Sequence, residues 1–138
     1  MVPDAAPLVA VVIVMLCLGY FSMASFPFVL VRLDIPEVWR LFRGLFNVHF
    51  RVIGVVGLVA ALVFATTGHI LVTFAMVALA VWASALRGLV LEGMDAQQAA
   101  WQSGDVGAMR RLRAIHWGAM LVNVAVLAGV VSRLTASF

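Results

Sequence analysis

The stretch that decides the fold is VIGVVGLVAALVFATTGHILVTFAMVALAVWASAL, residues 52–86, which carries no formally charged side chain over its 35 residues. One helix of that length would measure about 52 Å, whereas a bilayer core of about 30 Å needs roughly 20 residues. The sequence TTGH at residues 66–69 interrupts the stretch with polar residues and a glycine, which is typical of a turn. We therefore predict two membrane spans, residues 52–66 and 70–91, with Arg87 reaching toward the interface.

Two further apolar runs complete the predicted architecture. Residues 7–31 and residues 114–132 contain no formal charge, and each run is long enough to cross a bilayer core. Four consecutive spans with short connections form an up-down-up-down bundle. The predicted fold class is therefore all-α, an integral membrane four-helix bundle that forms a single domain over residues 1–138.

The composition agrees with this fold class. The chain is 65% apolar and 11% charged, whereas a soluble domain has about 45–50% apolar and about 25% charged residues. The one cysteine, Cys17, excludes an intrachain disulfide. No stretch is long enough to form the exposed basic domain that a nucleic-acid-binding protein needs. These numbers exclude a water-soluble fold, a disulfide scaffold and a nucleic-acid partner.

The arginines predict the orientation in the membrane. Eight of the nine basic residues lie in or at the ends of two connections, between spans one and two and between spans three and four, and Arg133 lies on the other side. Such an excess is typical of cytoplasmic segments. We predict a bacterial inner-membrane protein with both termini and the His69 turn facing outward; the use of arginine without lysine fits a GC-rich genome. The eight arginines are Arg32, Arg40, Arg43, Arg51, Arg87, Arg110, Arg111 and Arg113.

An amphipathic cytoplasmic segment precedes span two. Asp34, Pro36 and Glu37 match the start of a helix, with Asp34 as its cap. Beyond them, apolar residues recur at helical spacing opposite a polar stripe. The segment either lies on the inner membrane surface or extends span two. A second, weaker helix start is predicted at Asp95. The polar stripe consists of Arg40, Arg43, Asn47 and Arg51.

Segments 43–50 and 110–117 share a short pattern. In each segment an arginine stands six residues before a histidine, a leucine stands four before it, and an aromatic residue follows it. The two segments lie 67 residues apart, about half of the chain. The pattern suggests two similar helix hairpins repeated along the sequence.

The two histidines of these segments are candidate cofactor ligands. His49 and His116 begin spans two and four, and diagonal helices lie about 12–14 Å apart when neighbouring helices are about 8–10 Å apart. This separation admits a haem b between two axial histidines, with Arg43 and Arg113 near its propionates. The alternative is that each histidine hydrogen-bonds locally or to lipid phosphate at the interface.

Asn123 is the polar residue near the centre of span four. An amide in hydrocarbon is expected to face the bundle, where it contributes about 0.6–2 kcal/mol as an interhelical contact. The alternative is a polar group in a ligand cavity. The central parts of the spans carry no Asp, Glu or Lys, which disfavours pumps, ion-coupled carriers and charge-selective pores.

Neither a metal site nor a catalytic site is predicted. Zinc usually takes three or four protein ligands, and no further histidine or cysteine is well placed beside His49 and His116. No nucleophile–base pair, phosphate-binding loop or paired carboxylates are visible in the sequence. Small residues one turn apart, Gly57/Ala61 and Ala125/Gly129, predict close helix–helix contacts, either within the bundle or with another subunit.

The layout resembles the DUF4149-like group of small four-span membrane proteins, which is related to a human cisplatin-resistance-associated membrane protein. The resemblance is carried by residues 19–33, with Pro27 before VLVRL, and by RRLRAIH at residues 110–116 with Asn123 after it. Where bacterial members are expected to have a serine after the histidine of span four, this chain has Trp117. The resemblance implies a membrane location and four helices, without a settled activity.

The sequence therefore favours a membrane protein without its own catalysis, an accessory or structural subunit of a membrane complex. Its expected partners are the lipid bilayer and other membrane subunits or a second copy of the chain. The alternative is a haem- or tetrapyrrole-binding redox protein that uses His49 and His116.

Overall fold

The computed structural model describes residues 5–136, with side chains described as far as residue 133. This part of the chain contains helices and no strand. Four helical stretches are long and apolar enough to cross a membrane, which confirms the predicted all-α membrane fold. The helices are α1 (Ala5–Ser25), α2 (Pro27–Leu30), α3 (Pro36–Thr66), α4 (Ile70–Gln102) and α5 (Ala108–Ala136).

The four long helices pack as the predicted up-down-up-down bundle. Helices α1 and α4 each pack against both α3 and α5, so α3 and α5 occupy diagonal positions. Neighbouring helices run in opposite directions: Gly54 of α3 lies near Ser84 of α4, and Gly57 lies near Ala80. Helix α3 supplies much of the core. Its buried apolar side chains are Phe42, Phe46, Phe50, Ile53, Ala60, Ala61 and Phe64.

Helix α3 is longer than the predicted second span because the amphipathic segment continues directly into it. The helix runs from Pro36 to Thr66, a length of about 46 Å, and therefore exceeds a bilayer core of about 30 Å. The predicted cap is wrong. The N-cap residue is Ile35, without a side-chain hydrogen bond, and the carboxylate of Asp34 instead binds the guanidinium of Arg32 at 2.6 Å.

Helix α4 also continues past the predicted end of its span at residue 91. It ends at Gln102, so the predicted helix start at Asp95 is wrong. The carboxylate of Asp95, which the sequence suggested as a helix cap, instead contacts Arg43 of α3. In the first span, the regular helix is interrupted before Pro27, because proline lacks the backbone N–H that continues a helix.

Helices α3 and α4 approach each other closely at Gly57. A Cβ atom added to Gly57 would lie 3.2 Å from the Cβ of Ala80 and 3.3 Å from the carbonyl oxygen of Met76. This contact confirms the predicted close packing at Gly57, and Ala61 is buried as well. The second pair differs: Ala125 and Gly129 are exposed, and a Cβ at Gly129 would meet open space.

Candidate functional site

A cluster of aromatic rings surrounds His116 between α1, α3 and α5. The His116 ring lies 4.9 Å from the Phe42 ring and 5.9 Å from the Phe46 ring, measured between centroids. The residue is only 1% exposed, and its Nε2 atom is buried without a hydrogen-bond partner. His116 therefore does not reach lipid phosphate, but it does make a hydrogen bond within the bundle, with the backbone of Ser25, as the other form of the predicted alternative expects.

His49 occupies a different environment. Its ring stacks on Phe21 of α1, with centroids 3.8 Å apart and an angle of 18° between the planes. The free side of the ring borders a cavity inside the bundle. The side chain of Asn123, on α5, faces the ring in the wall of the same cavity as a hydrogen-bond partner outside normal geometry.

The predicted propionate-binding arginines both contact protein groups. They lie at what we call the arginine-rich end of the bundle, where α2 ends, α3 begins and residues 103–107 connect α4 to α5. The Arg43 guanidinium binds Asp95 through two contacts of 2.6 and 2.7 Å. Arg113 donates to the carbonyl oxygens of Val29 and Val31, each at 2.9 Å. Val29 lies in the last turn of α2 and Val31 follows it, so their carbonyls have no helical partner.

Asn123 joins α5 to α1 near the middle of the bundle. Its Nδ2 atom donates to the carbonyl oxygen of Leu18 at 2.9 Å and to the hydroxyl of Ser22 at 2.8 Å. The carbonyl oxygen of Leu18 can only accept, so the amide nitrogen must face α1. The Oδ1 atom is consequently turned away from α1, and it is buried without a hydrogen-bond partner of normal geometry.

The cavity beside these two residues has a volume of about 200 Å³ and is lined by all four long helices. Apart from His49 and Asn123, its wall is apolar and aromatic. Between α4 and α5 the wall reaches the outer surface of the bundle, because Trp82 is 38% exposed, Val122 is 40% exposed and Gly118 is also exposed. The cavity therefore opens toward the lipid side of the bundle.

The two histidines do not border a common cavity. Ring contacts lead from His49 to Phe21, from Phe21 to Phe46 at 5.2 Å, and from Phe46 to His116. Of the two histidines, only His49 lines the cavity, and the cavity volume is below the roughly 300–1,000 Å³ of typical small-molecule pockets. In this arrangement the described residues do not fit a haem ligated by both rings; ligation would require Phe21 and Phe46 to move. Haem binding by His49 and His116 stays a prediction.

Sequence reasoning missed the partners of the polar stripe on α3. Asn47 was predicted as part of that stripe, and its Oδ1 accepts a hydrogen bond of 2.9 Å from Nε of Arg87 on α4. Asp95 is the partner of Arg43. Both contacts cross the α3–α4 hairpin, and residues paired across a hairpin have a nearly constant sum of sequence positions. That constant sum was the signal that could have identified both partners.

Comparisons of the chain with protein-family models, with curated proteins and with solved structures give no match. The interpretation of the site therefore depends on the residues of this chain.

Proposed function

We propose that the chain is a multi-pass protein of a bacterial inner membrane that acts without its own catalysis, as an accessory or structural subunit of a membrane complex. The observation that supports this role is the use of polar side chains at the arginine-rich end. Arg43, Arg87 and Arg113 each join two segments of the bundle. Residues that were candidates for holding a cofactor therefore stabilise a helical scaffold.

The outer faces of α4 and α5 are the surfaces offered to lipid, to other subunits or to a second copy. They carry long rows of exposed apolar side chains, as a bilayer or a membrane partner requires. The resemblance to DUF4149-like proteins agrees with such a scaffold and stays a hypothesis. The exposed residues include Leu71, Phe74, Val81, Leu89, Leu121 and Val124.

The subunit role is tested on a chromosomally tagged chain extracted from its native membrane. Blue native electrophoresis in several mild detergents should show a discrete band far above the 14.8 kDa of the chain. Co-purification of two differently tagged copies separates a homo-oligomer from a complex with other subunits. Migration as a monomer in every mild detergent would contradict the proposal.

The orientation is tested with reporters inserted in the two turns. The antiparallel helices bring the connections before α3 and after α4 to one end of the bundle, which agrees with a cytoplasmic location for both. A reporter that is active only in the periplasm should give signal when inserted at Gly68 and none when inserted at Gly104. The reverse pattern would overturn the orientation and place both termini inside.

Haem binding is the second candidate function, and one observation favours it. The Nε2 atom of His116 is buried without a partner, and such an atom is available to a metal if the aromatic cluster rearranges. Purified protein would then show a Soret band that is lost in both His49→Ala and His116→Ala, because ligation by two axial histidines needs both. A colourless protein after expression with added haem precursor would exclude this function.

A further inference from the structure

The cavity between α4 and α5 combines an apolar wall with two polar groups at membrane depth. Phe21, Phe50 and Trp82 supply aromatic surface, and His49 and Asn123 supply the polar groups. Asn123 is only 5% exposed, and its Oδ1 atom, which faces the His49 ring, makes no hydrogen bond of normal geometry. A buried acceptor that lacks a well-formed hydrogen bond is unfavourable, so a molecule that donates to Oδ1 should bind more tightly than one that cannot.

The size of the cavity argues against water as its sole occupant. A water molecule takes up about 30 Å³ and typically makes about three hydrogen bonds to buried polar groups. One water between His49 and Asn123 would leave most of the 200 Å³ beside apolar side chains that offer it no partner. An apolar cavity of about 150 Å³ is known to hold one benzene ring. The volume therefore suits a single aromatic ring with a small substituent.

The polar groups define what that substituent must be. Oδ1 of Asn123 accepts a hydrogen bond, and the neutral imidazole of His49 has one nitrogen that donates and one that accepts. A hydroxyl group both donates and accepts, so it can bind both residues at once. A carbonyl group or a halogen lacks the proton that Asn123 needs.

We propose that this cavity binds the ring of a lipophilic phenol, which enters from the bilayer between α4 and α5. The hydroxyl group donates to Oδ1 of Asn123 and accepts from the ring N–H of His49, while the aromatic ring packs against Phe21, Phe50 and Trp82. The opening beside Gly118 leads to the lipid phase, where such molecules concentrate. This inference goes beyond the proposed subunit role and does not depend on it.

The binding test compares 4-fluorophenol with fluorobenzene, which differ in the hydroxyl group. Fluorine NMR is recorded with the purified full chain in lipid nanodiscs, and protein-free nanodiscs measure partition into lipid. We expect a saturable signal from 4-fluorophenol with a Kd about tenfold lower than that of fluorobenzene, because one net hydrogen bond is worth about 0.5–1.5 kcal/mol. Equal affinity would overturn the role of the polar groups, and the absence of any saturable signal would overturn the site.

Two pairs of variants test the location of the ligand. Asn123→Leu should remove the preference for 4-fluorophenol, whereas Ser22→Ala changes the other contact of Asn123 without touching the cavity wall and should keep it. Gly118→Leu should block the opening and abolish binding of both probes, whereas Gly129→Leu should leave binding unchanged. A Cβ meets open space at both glycines, so both variants are expected to fold. Unchanged binding in Gly118→Leu would overturn the proposed entry.

The source of the phenol is resolved by competition. Decyl hydroquinone carries its alkyl tail in the lipid, and its ring presents the required hydroxyl. If it displaces 4-fluorophenol at a much lower concentration than untailed hydroquinone does, the ligand is a membrane quinol. Equal displacement by the two compounds indicates a free phenol, and displacement by neither would overturn the proposal. These outcomes are independent of the band seen in native electrophoresis.

Discussion

Helix α4 makes two contrasting contacts along its length. Toward α3 the two backbones approach closely, with Gly57 against Ala80 in the apolar part of the bundle. Toward α5 a close contact lies near the connecting turn, where Gly93 faces Ile115; farther along, the cavity separates the two helices beside Gly118. The close α3–α4 contact supplies packing, whereas the open α4–α5 contact leaves space for a ligand.

The open contact is compatible with a folded bundle because α5 is held from its other side. Asn123 binds α1 in the middle of the membrane, and Arg113 binds two carbonyl groups at the end of α2. Polar contacts in a low-dielectric environment are directional, and they fix the position of a helix without requiring continuous close packing. Substitutions that disturb the α3–α4 packing and spare the polar contacts of α5, or the reverse, therefore test whether the two contacts differ in this way.

The largest effect is expected at the α3–α4 contact. In Gly57→Leu the new side chain would meet Ala80 and the backbone of Met76 at 3.2–3.3 Å from its Cβ, and overpacking of this kind costs about 3 kcal/mol or more in severe cases. Thermal unfolding in detergent should show a strongly lowered Tm. Gly129→Leu is the matched control, with an unchanged or slightly raised Tm because leucine is the better helix former. Equal Tm values would contradict the contrast.

A smaller effect is expected when α5 loses its contact with α2. Arg113→Met keeps most of the side-chain length but removes two charged hydrogen bonds to Val29 and Val31, at a cost of about 2 kcal/mol. Arg110→Met is the control, since Arg110 is an exposed arginine of the same helix. Denaturation by SDS should separate the two variants. If both lose the same stability, the loss reflects charge and not these hydrogen bonds.

The order of the helices was predictable from the sequence, but the helix ends were not. Apolar runs and the turn at residues 66–69 are local signals, so the four spans and their antiparallel order follow from them. Asp34 and Asp95 looked like helix caps because capping is also local. In the structure their carboxylates bind Arg32 and Arg43, and the second of these contacts depends on where α3 and α4 meet.

The site was predictable as a set of residue types and not as an arrangement. His49 and His116 share one sequence pattern, yet one ring borders the cavity and the other lies inside an aromatic cluster. The difference comes from Phe21 and Phe46, whose positions depend on how α1 packs against α3. Likewise, small-residue spacing indicated two close contacts, but only burial distinguishes Gly57 from the exposed Gly129.

A still smaller effect is expected from the ion pair that ends the α3–α4 contact. Arg43 and Asp95 are 39% and 48% exposed, and exposed pairs contribute about 0.2–1 kcal/mol. A double-mutant cycle with Arg43→Met and Asp95→Asn should give a coupling energy in this range that decreases at high salt. A coupling energy well above that range would show that lipid shields the pair from water. The ion pair would then contribute more to the α3–α4 contact than its exposure indicates.

The smallest effect concerns the turn that joins α4 to α5, where acid should weaken the contact between the turn and α5. The hydrogen bond from Arg111, followed by one from the backbone N–H of Gly107, lowers the pKa of Asp105 below its ordinary value of 3.8. Because the folded pKa is the lower one, the contribution of this carboxylate is fully present above pH 3.8 and is lost as the pH falls through the folded pKa. The amide resonance of Gly107, which donates to Oδ1 of Asp105 at 2.9 Å, should report the titration in micelles. We expect its midpoint to lie below 3.8, to rise toward that value in Arg111→Met, and to stay unchanged in Arg110→Met. A midpoint that stays the same in Arg111→Met would show that the contact between Arg111 and Asp105 does not form in solution.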